Sequence, residues 1–411
     1  MENFLRKQAD QIAAAAIAAV LPDSAVIRAL KDAQFPGRVI LVAAGKAAWQ
    51  MAKAAQDHLG DQIHQGIVIT KYHHVKGPLK NILCCEAGHP VPDEASFSAT
   101  KQALDLVTGL TETDTVLFLL SGGGSALFEQ PLIPAEELQH ITRQLLACGA
   151  DIVQINTIRK RLSAVKGGRF AQACMPAKVF SVVLSDILGD PLDMIASGPA
   201  CPDSSTCAQA EKIAEQYGLK LSEQARKCLQ TETPKQLSNV RTCITGSVRE
   251  LCTAAARGAE ELGYETCILT DQLCCQAREA GSFLASVART HWGIGKKLAF
   301  IVGGETVVKL TGSGRGGRNQ ELALAAAEGI AGLEGVCLFS IGSDGTDGPT
   351  DAAGGYADGF TAPKLKEMGI EISNVLQNND AYPALEKVGG LMITGPTGTN
   401  VNDVAVLLIN G

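Results

Sequence analysis

Short apolar runs alternate with helical stretches along most of this chain. RVILVAAG (38–45) has strand length and is followed by the helical KAAWQMAKAAQDHL. GIVIT (66–70) and NILCCEAG (81–88) read as further strands, and DEASFSATKQALDLVTGL (93–110) as a helix with Asp93 as its N-cap signal after Pro92. TVLFLLS (115–121) predicts a strand, PAEELQHITRQLLAC (134–148) a helix, and KVFSVVLSD (178–186) another strand. Continuous apolar strands between helices predict a parallel sheet covered on both faces. From about 204 to 240 the sequence is polar and less regular, which places a domain boundary near 235. The alternation then resumes with strands at 242–246, 264–270, 297–305, 306–310, 335–345 and 402–410. The expected architecture is two α/β domains, residues 1–235 and 236–411, with largely parallel, Rossmann-like sheets.

Length agrees, because 411 residues exceed one ordinary core. The N-terminus (residues 1–23) reads as an amphipathic, Ala-rich helix ended by Pro22, not as a signal peptide. No apolar stretch approaches the roughly 20 residues of a membrane span. Aromatic residues are only 4% of the chain, which argues against stacking platforms for single-stranded nucleic acid. With a formal charge of -7 and no Lys/Arg run, neither nucleic acid nor an anionic membrane is an expected partner. The 13 cysteines are odd in number and lack CxxC spacing, so reduced thiols and a cytoplasmic location are expected.

In open α/β sheets, ligands sit beyond the carboxyl ends of the strands, so the loops there are where chemistry is sought. The first, VAAGKAA, has Lys46 opening a helix. It is not a Walker A motif, since Ile40 and Ala47 stand where Gly and Ser/Thr are needed. The second is Ser121-Gly122-Gly123-Gly124-Ser125, whose bare backbone suits amides aimed at phosphate oxygens. The third (156–172) is strongly basic, with Arg159, Lys166 and Arg169 spaced to share a helical face for a polyanion. The fourth (184–203) places Asp186 just after an apolar strand with Asp190 close behind, as magnesium-holding carboxylates would be. The fifth (303–327) is Gly-rich and brings Arg315 and Arg318 to the start of an Ala-rich helix. The sixth (341–355) carries Asp344, Asp347 and Asp351 after a strand, and the seventh (394–403) is a run of turn residues. Glycine amides, cationic groups and carboxylates on separate strand ends are the parts of a phosphoryl-transfer site. No Gly-x-Gly-x-x-Gly opens a first βαβ unit with an acidic residue about 20 positions on, so a nicotinamide site is weakly supported.

These loops resemble a known family. SGGGSALFEQP, IRKRLSAVKGGRFA, LSDILGDPLDMIASGPACPD, GGETVV, GRGGRNQELALA, SDGTDGPTDAAGG and TGPTGTNVNDV are similar to the glycerate 2-kinases of the MOFRL type, whose members often carry the label hydroxypyruvate reductase. The resemblance spans nearly the whole chain and places the MOFRL region at about 297–405. It implies ATP- and Mg2+-dependent phosphorylation of D-glycerate to 2-phosphoglycerate, in a cleft between two α/β domains. It implies Lys46, Arg318 and Asp344 as catalytic residues. Lys46 and Arg318 are read as substrate-binding and Asp344 as orienting the hydroxyl or taking its proton. Ser121, Gly122, Gly123, Gly124, Ser125 and Lys166 are read as nucleotide phosphate contacts, and Asp186 and Asp190 as magnesium ligands. Arg161 stands where the family usually has His, and Ala381 where it has Ser. The alternative reading is an NAD(P)H-dependent hydroxypyruvate reductase. Expected partners are small molecules alone, the chain being a monomer or homodimer.

Overall fold

The computed structural model describes residues 2–411, with side chains from Phe4 onward. They fall into two compact units, residues 22–245 and residues 2–21 with 246–411. The expected cut at 235 therefore shifts, and the first helix changes sides. Two local reasons account for this. Residues Val240–Gly246 form the last strand of the first sheet, so the chain cannot leave that unit at 235. The helix Glu2–Ala19 packs in the other unit, where Tyr264 donates to Gln8 Oε1 (2.7 Å) and Arg6 Nη1 to the Gly389 carbonyl (2.7 Å). Pro22 begins the next helix, Pro22–Leu30, at the first helical position, where its missing N–H costs nothing.

Unit 22–245 is built on strands β1 (Val39–Ala44), β2 (Ile63–Lys71), β3 (Ile82–Ala87), β4 (Thr115–Leu120), β5 (Lys178–Leu184) and β6 (Val240–Gly246), in the order β3-β2-β1-β4-β5-β6. The β1–β2, β1–β4, β2–β3 and β4–β5 pairs are parallel. All six residues of β1 and of β4 are buried, as strands covered on both faces must be. Asp93 caps the helix Glu94–Leu106 as expected, in a capping box with Ser96. The order reverses between β1 and β4. That switch leaves a crevice beyond their carboxyl ends, because their connections leave on opposite sides.

The other unit holds β7 (Glu265–Leu273), β8 (Lys297–Gly304), β9 (Val336–Gly342), β10 (Gly354–Asp358), β11 (Leu391–Met392) and β12 (Asp403–Asn410), ordered β11-β10-β9-β12-β8-β7. Only β7–β8 is a parallel pair; the other four are antiparallel. The expectation of largely parallel sheets thus fails here. Neither the β9–β10 link (343–353) nor the β11–β12 link (393–402) contains a helix, and a parallel return needs such a crossover. The strand expected at 306–310 is also absent among the described residues; Val307 makes only an isolated bridge to Gln276.

Candidate active site

At the switch point of unit 22–245 the loops after β1 and β4 are tied to each other. The Lys46 N–H donates to the Gly122 carbonyl (2.9 Å) and the Ala47 N–H to Ser121 Oγ (3.1 Å). The Lys46 carbonyl accepts from Thr70 Oγ1 (3.2 Å) and lies 3.1 Å from His74 Nδ1. Lys46 is thus pinned on both sides of its own Cα. Gly45 makes this possible, since at φ 126° any Cβ would strike the Ser121 hydroxyl and carbonyl.

The glycine run answers different demands at each position. A Cβ on Gly122 would collide with the Asp186 carboxylate, so Asp186 lies against the loop. Gly123 sits at φ 86°, and a Cβ there would lie 3.1 Å from His89 Nε2 and 3.2 Å from Lys46 Cγ. Gly124 turns inward: its N–H bonds the Ser121 carbonyl (3.3 Å) and its α-carbon faces Ala196. It therefore supports the turn and offers no amide outward, contrary to the expected role. Phe128 anchors the end of the loop, its ring 5.5 Å from Phe118 and 5.0 Å from Phe170.

Lys166 is not a ligand contact. Its side chain is fully buried, and Nζ donates to the carbonyls of Ser125 (2.9 Å) and Phe128 (3.1 Å) and pairs with Glu129 (3.3 Å). It holds the glycine loop from behind. Burial pushes its ammonium down to about 8 despite the neighbouring Glu129. Arg159 joins it on the Ser125 carbonyl (3.1 Å). The rest of the basic segment is equally internal. Arg169 Nη1 donates to the carbonyls of Lys160, Arg161 and Ser163, and fully buried Arg161 bonds Ser205, Thr157 and Glu232. The helix Ile152–Arg161 ends here, and exposed carbonyls at a helix terminus draw guanidinium groups. The polyanion face read from the sequence is a scaffold, and Arg161, fully buried, has no exposed edge for acid–base work.

Asp186 immediately precedes the turn that Asp190 closes by donating its N–H to the Ile187 carbonyl (3.1 Å). Asp190 has a left-handed φ of 52°, and its Oδ1 is buried without a hydrogen-bond partner among the described residues. No group of three or more metal-type side chains converges among the described residues.

In the other unit, β12 runs between β8 and β9, and its first residue, Asp403, is in register with Gly304 and Gly342 at their ends. Arg318, first residue of the helix Arg318–Gly329, grips Asp403 through Nε (2.6 Å) and Nη2 (3.1 Å) and reaches Glu305 through Nη1 (3.0 Å). Burial disfavours charge on both partners and raises the Asp403 carboxyl. The guanidinium is nevertheless held above its usual range by the Asp403 hydrogen bonds and charge, so the ionised pair is the state the geometry favours. The fork expected to take a substrate carboxylate is thus occupied by the protein's own. Asp347 likewise fills the helix start, accepting from the Gln320 (2.9 Å) and Asn319 (3.2 Å) N–H groups. Burial pushes its carboxyl up to about 6, against those bonds. Asp344 accepts from the Thr346 N–H (3.0 Å) and shares with Arg318, Glu305, Asp347 and Gly317 the wall of an open cavity of about 800 Å³. Ala381 is buried in that wall, 1% exposed, with no polar edge to replace the family's hydroxyl.

The structure therefore gathers Lys46, Ser121–Gly123 and Asp186 in one unit, and Arg318 with Asp344 in the other. It removes Lys166 and Gly124 from the contact set. It adds Glu305 and Asp403, which sat unremarked in loops already singled out, and His89, whose loop carries no glycine or charge cluster.

Residues 8–230 match the family described as a domain of unknown function, DUF4147, and residues 298–403 match the MOFRL family. A D-glycerate 2-kinase of Thermotoga maritima is 54% identical, over 98% of each chain. A glycerate 2-kinase of Pyrococcus horikoshii is 41% identical, covering 98% of this chain and 94% of its own. The crystal structure of the Thermotoga maritima glycerate kinase superposes with a TM-score of 0.94 at 53% identity, over 99% of this chain and 100% of that one. Identity of this order along both units, with both domain families in the same chain, means that this protein belongs to the MOFRL-type glycerate 2-kinase family.

Proposed function

We propose that the protein transfers a phosphoryl group from ATP to the 2-hydroxyl of D-glycerate. The observation that carries this reading is Lys46, fixed by its own backbone over a glycine loop at the switch point of a parallel sheet. A cation rigidly held beside a bare backbone suits a triphosphate, whose charge must be neutralised as the bond to the leaving oxygen breaks. Gly122 and Gly123 let phosphate approach the main chain, with Ser121 and Ser125 flanking them. Lys46 offsets charge on the transferred group. Magnesium, when bound, would neutralise phosphate oxygens, and Asp186 and Asp190 would hold it; the unpartnered Asp190 oxygen fits a hard cation.

Arg318 takes the glycerate carboxylate through Nη1 once that nitrogen gives up its 3.0 Å bond to half-exposed Glu305, while Asp403 keeps the guanidinium oriented. Asp344, on the same cavity wall, accepts the hydroxyl proton.

The strand order of the first unit is also that of dinucleotide-binding folds, which favours the reductase alternative. The first βα turn opposes it. The helix after β1 begins at Ala48, not at Lys46 as expected, and the amides of the turn that a pyrophosphate would need are taken: Lys46 donates to Gly122, Ala47 to Ser121 and Ala48 to Gly45. At the end of β2, where an acid would bind the ribose, stand Thr70 and Lys71.

The test is ADP release with D-glycerate, L-glycerate and hydroxypyruvate, with NADH oxidation followed in parallel and the phosphate located in the product by NMR. D-glycerate-dependent ADP and a 2-phosphate are expected. NADH oxidation by hydroxypyruvate without ADP release would overturn the reading.

A further inference from the structure

His89 enters the switch-point site from a loop that nothing in the sequence marked. It follows β3, and its position is enforced. Asp93 is tied to Ser96 in the capping box and accepts from the Tyr72 hydroxyl (2.8 Å). Gly88 must be bare, because a Cβ there would lie 2.9 Å from the Asp93 carboxylate. This brings the imidazole edge against Gly123 and beside the Lys46 stem. The ring makes no hydrogen bond to another described residue, so it is placed with care but not used within the fold.

We infer that His89 is an anion-binding residue of this site, donating through its imidazole to an oxygen of the ligand that lies against Gly123 and Lys46. Its surroundings carry positive charge in a chain whose formal net charge is -7. Burial, then Lys46, Lys71 and His74, push the imidazole below its ordinary value, while the Asp186 carboxylate lies on the Gly122 side of the loop. An arriving anion reverses the balance. It neutralises the lysines and offers an acceptor, so the imidazole takes up a proton as the ligand binds. Affinity for the anion therefore strengthens as pH falls through the range where the free ring titrates, until the ligand itself protonates.

The anionic oxygen can belong to nucleotide phosphate or to the glycerate carboxylate. The inference rests on the proposed kinase reading for that choice alone, since its test needs no turnover. The imidazole of His89, assigned through the His89→Gln protein, is titrated by NMR in the wild-type protein alone, with a non-hydrolysable ATP analogue, and with D-glycerate. The expected result is that one ligand raises the midpoint by about one pH unit. A rise with the analogue assigns the contact to phosphate, and a rise with glycerate assigns it to carboxylate. His89→Phe should weaken that same ligand at least tenfold, while His89→Gln, which keeps an N–H donor, restores most of the affinity. If neither ligand moves the His89 midpoint although the protein releases ADP from ATP and glycerate, the kinase reading survives and this inference fails. If pyrophosphate shifts the ring in a protein with no kinase activity, the reverse holds.

Discussion

Replacing Lys166 by Met separates two readings of the basic segment. As a ligand contact, the lysine would be lost at little cost to folding and at high cost to nucleotide affinity. The structure predicts the opposite ranking. Met fills most of the same fully buried space, but the Phe128 carbonyl loses the Lys166 donor and Glu129 loses its nearest cation, at 3.3 Å. Breaking one side of a buried pair costs about 3–5 kcal/mol, and a stranded carbonyl about 1–3 kcal/mol. The two overlap, because Arg159 also faces Glu129, at 4.0 Å, and still reaches the Ser125 carbonyl. A net loss of about 3–5 kcal/mol is therefore expected in the unit containing residues 22–245. Urea unfolding of the full chain, read by far-UV circular dichroism, measures it. The double variant Lys166→Met/Glu129→Gln removes the stranded charge and should recover at least about 1 kcal/mol of the loss. pH gives a second check. The folded-state value near 8 lies below the 10.5 of the unfolded chain, so below pH 8 both states are charged and the burial penalty is fully present. Between pH 8 and 10.5 the unfolded chain holds the extra proton, and wild type should gain stability relative to Lys166→Met by about 3 kcal/mol. A single variant that loses less than about 1 kcal/mol of stability while ATP affinity collapses would refute the scaffold role.

Other expectations follow from the same geometry. Arg318→Lys keeps charge but cannot hold Asp403 by two bonds, so kcat/KM for D-glycerate should fall by about 2–4 kcal/mol in transition-state terms, with about 1–2 kcal/mol lost in unfolding; unchanged kcat/KM would remove Arg318 from the reaction. Gly123→Ala imposes a left-handed residue and crowds His89 and Lys46, costing about 1–2 kcal/mol in stability and a larger share of nucleotide affinity by calorimetry; wild-type affinity in the folded variant would contradict the close-approach role. Gly45→Ala forces a Cβ into the Ser121 main chain and should cost more than about 2 kcal/mol, seen as a lower urea midpoint; a neutral result would mean the two loops are not locked together.

The α/β class, most strands, the Asp93 cap and the strand-end loops were readable from the chain because each is a local property: period, length, turn residues and burial on both faces. The resemblance rested on the same loops, and from it came the candidates Lys46, Arg318 and Asp344. What escaped depends on which distant residue a side chain meets. Lys166 and Arg318 look alike as exposed cations in Gly-rich stretches, yet one finds Glu129 and two carbonyls inside the fold, and the other finds Asp403, 85 residues away, at a cavity edge. His89 has no local signature, and its place beside Gly123 comes from strand order, which brings the loops after β3, β1 and β4 toward one end of the sheet. The second sheet escaped for a related reason. Apolar strands read the same whichever way a neighbour runs, so only the helix-free links and the insertion of β12 between β8 and β9 decided that it is mixed.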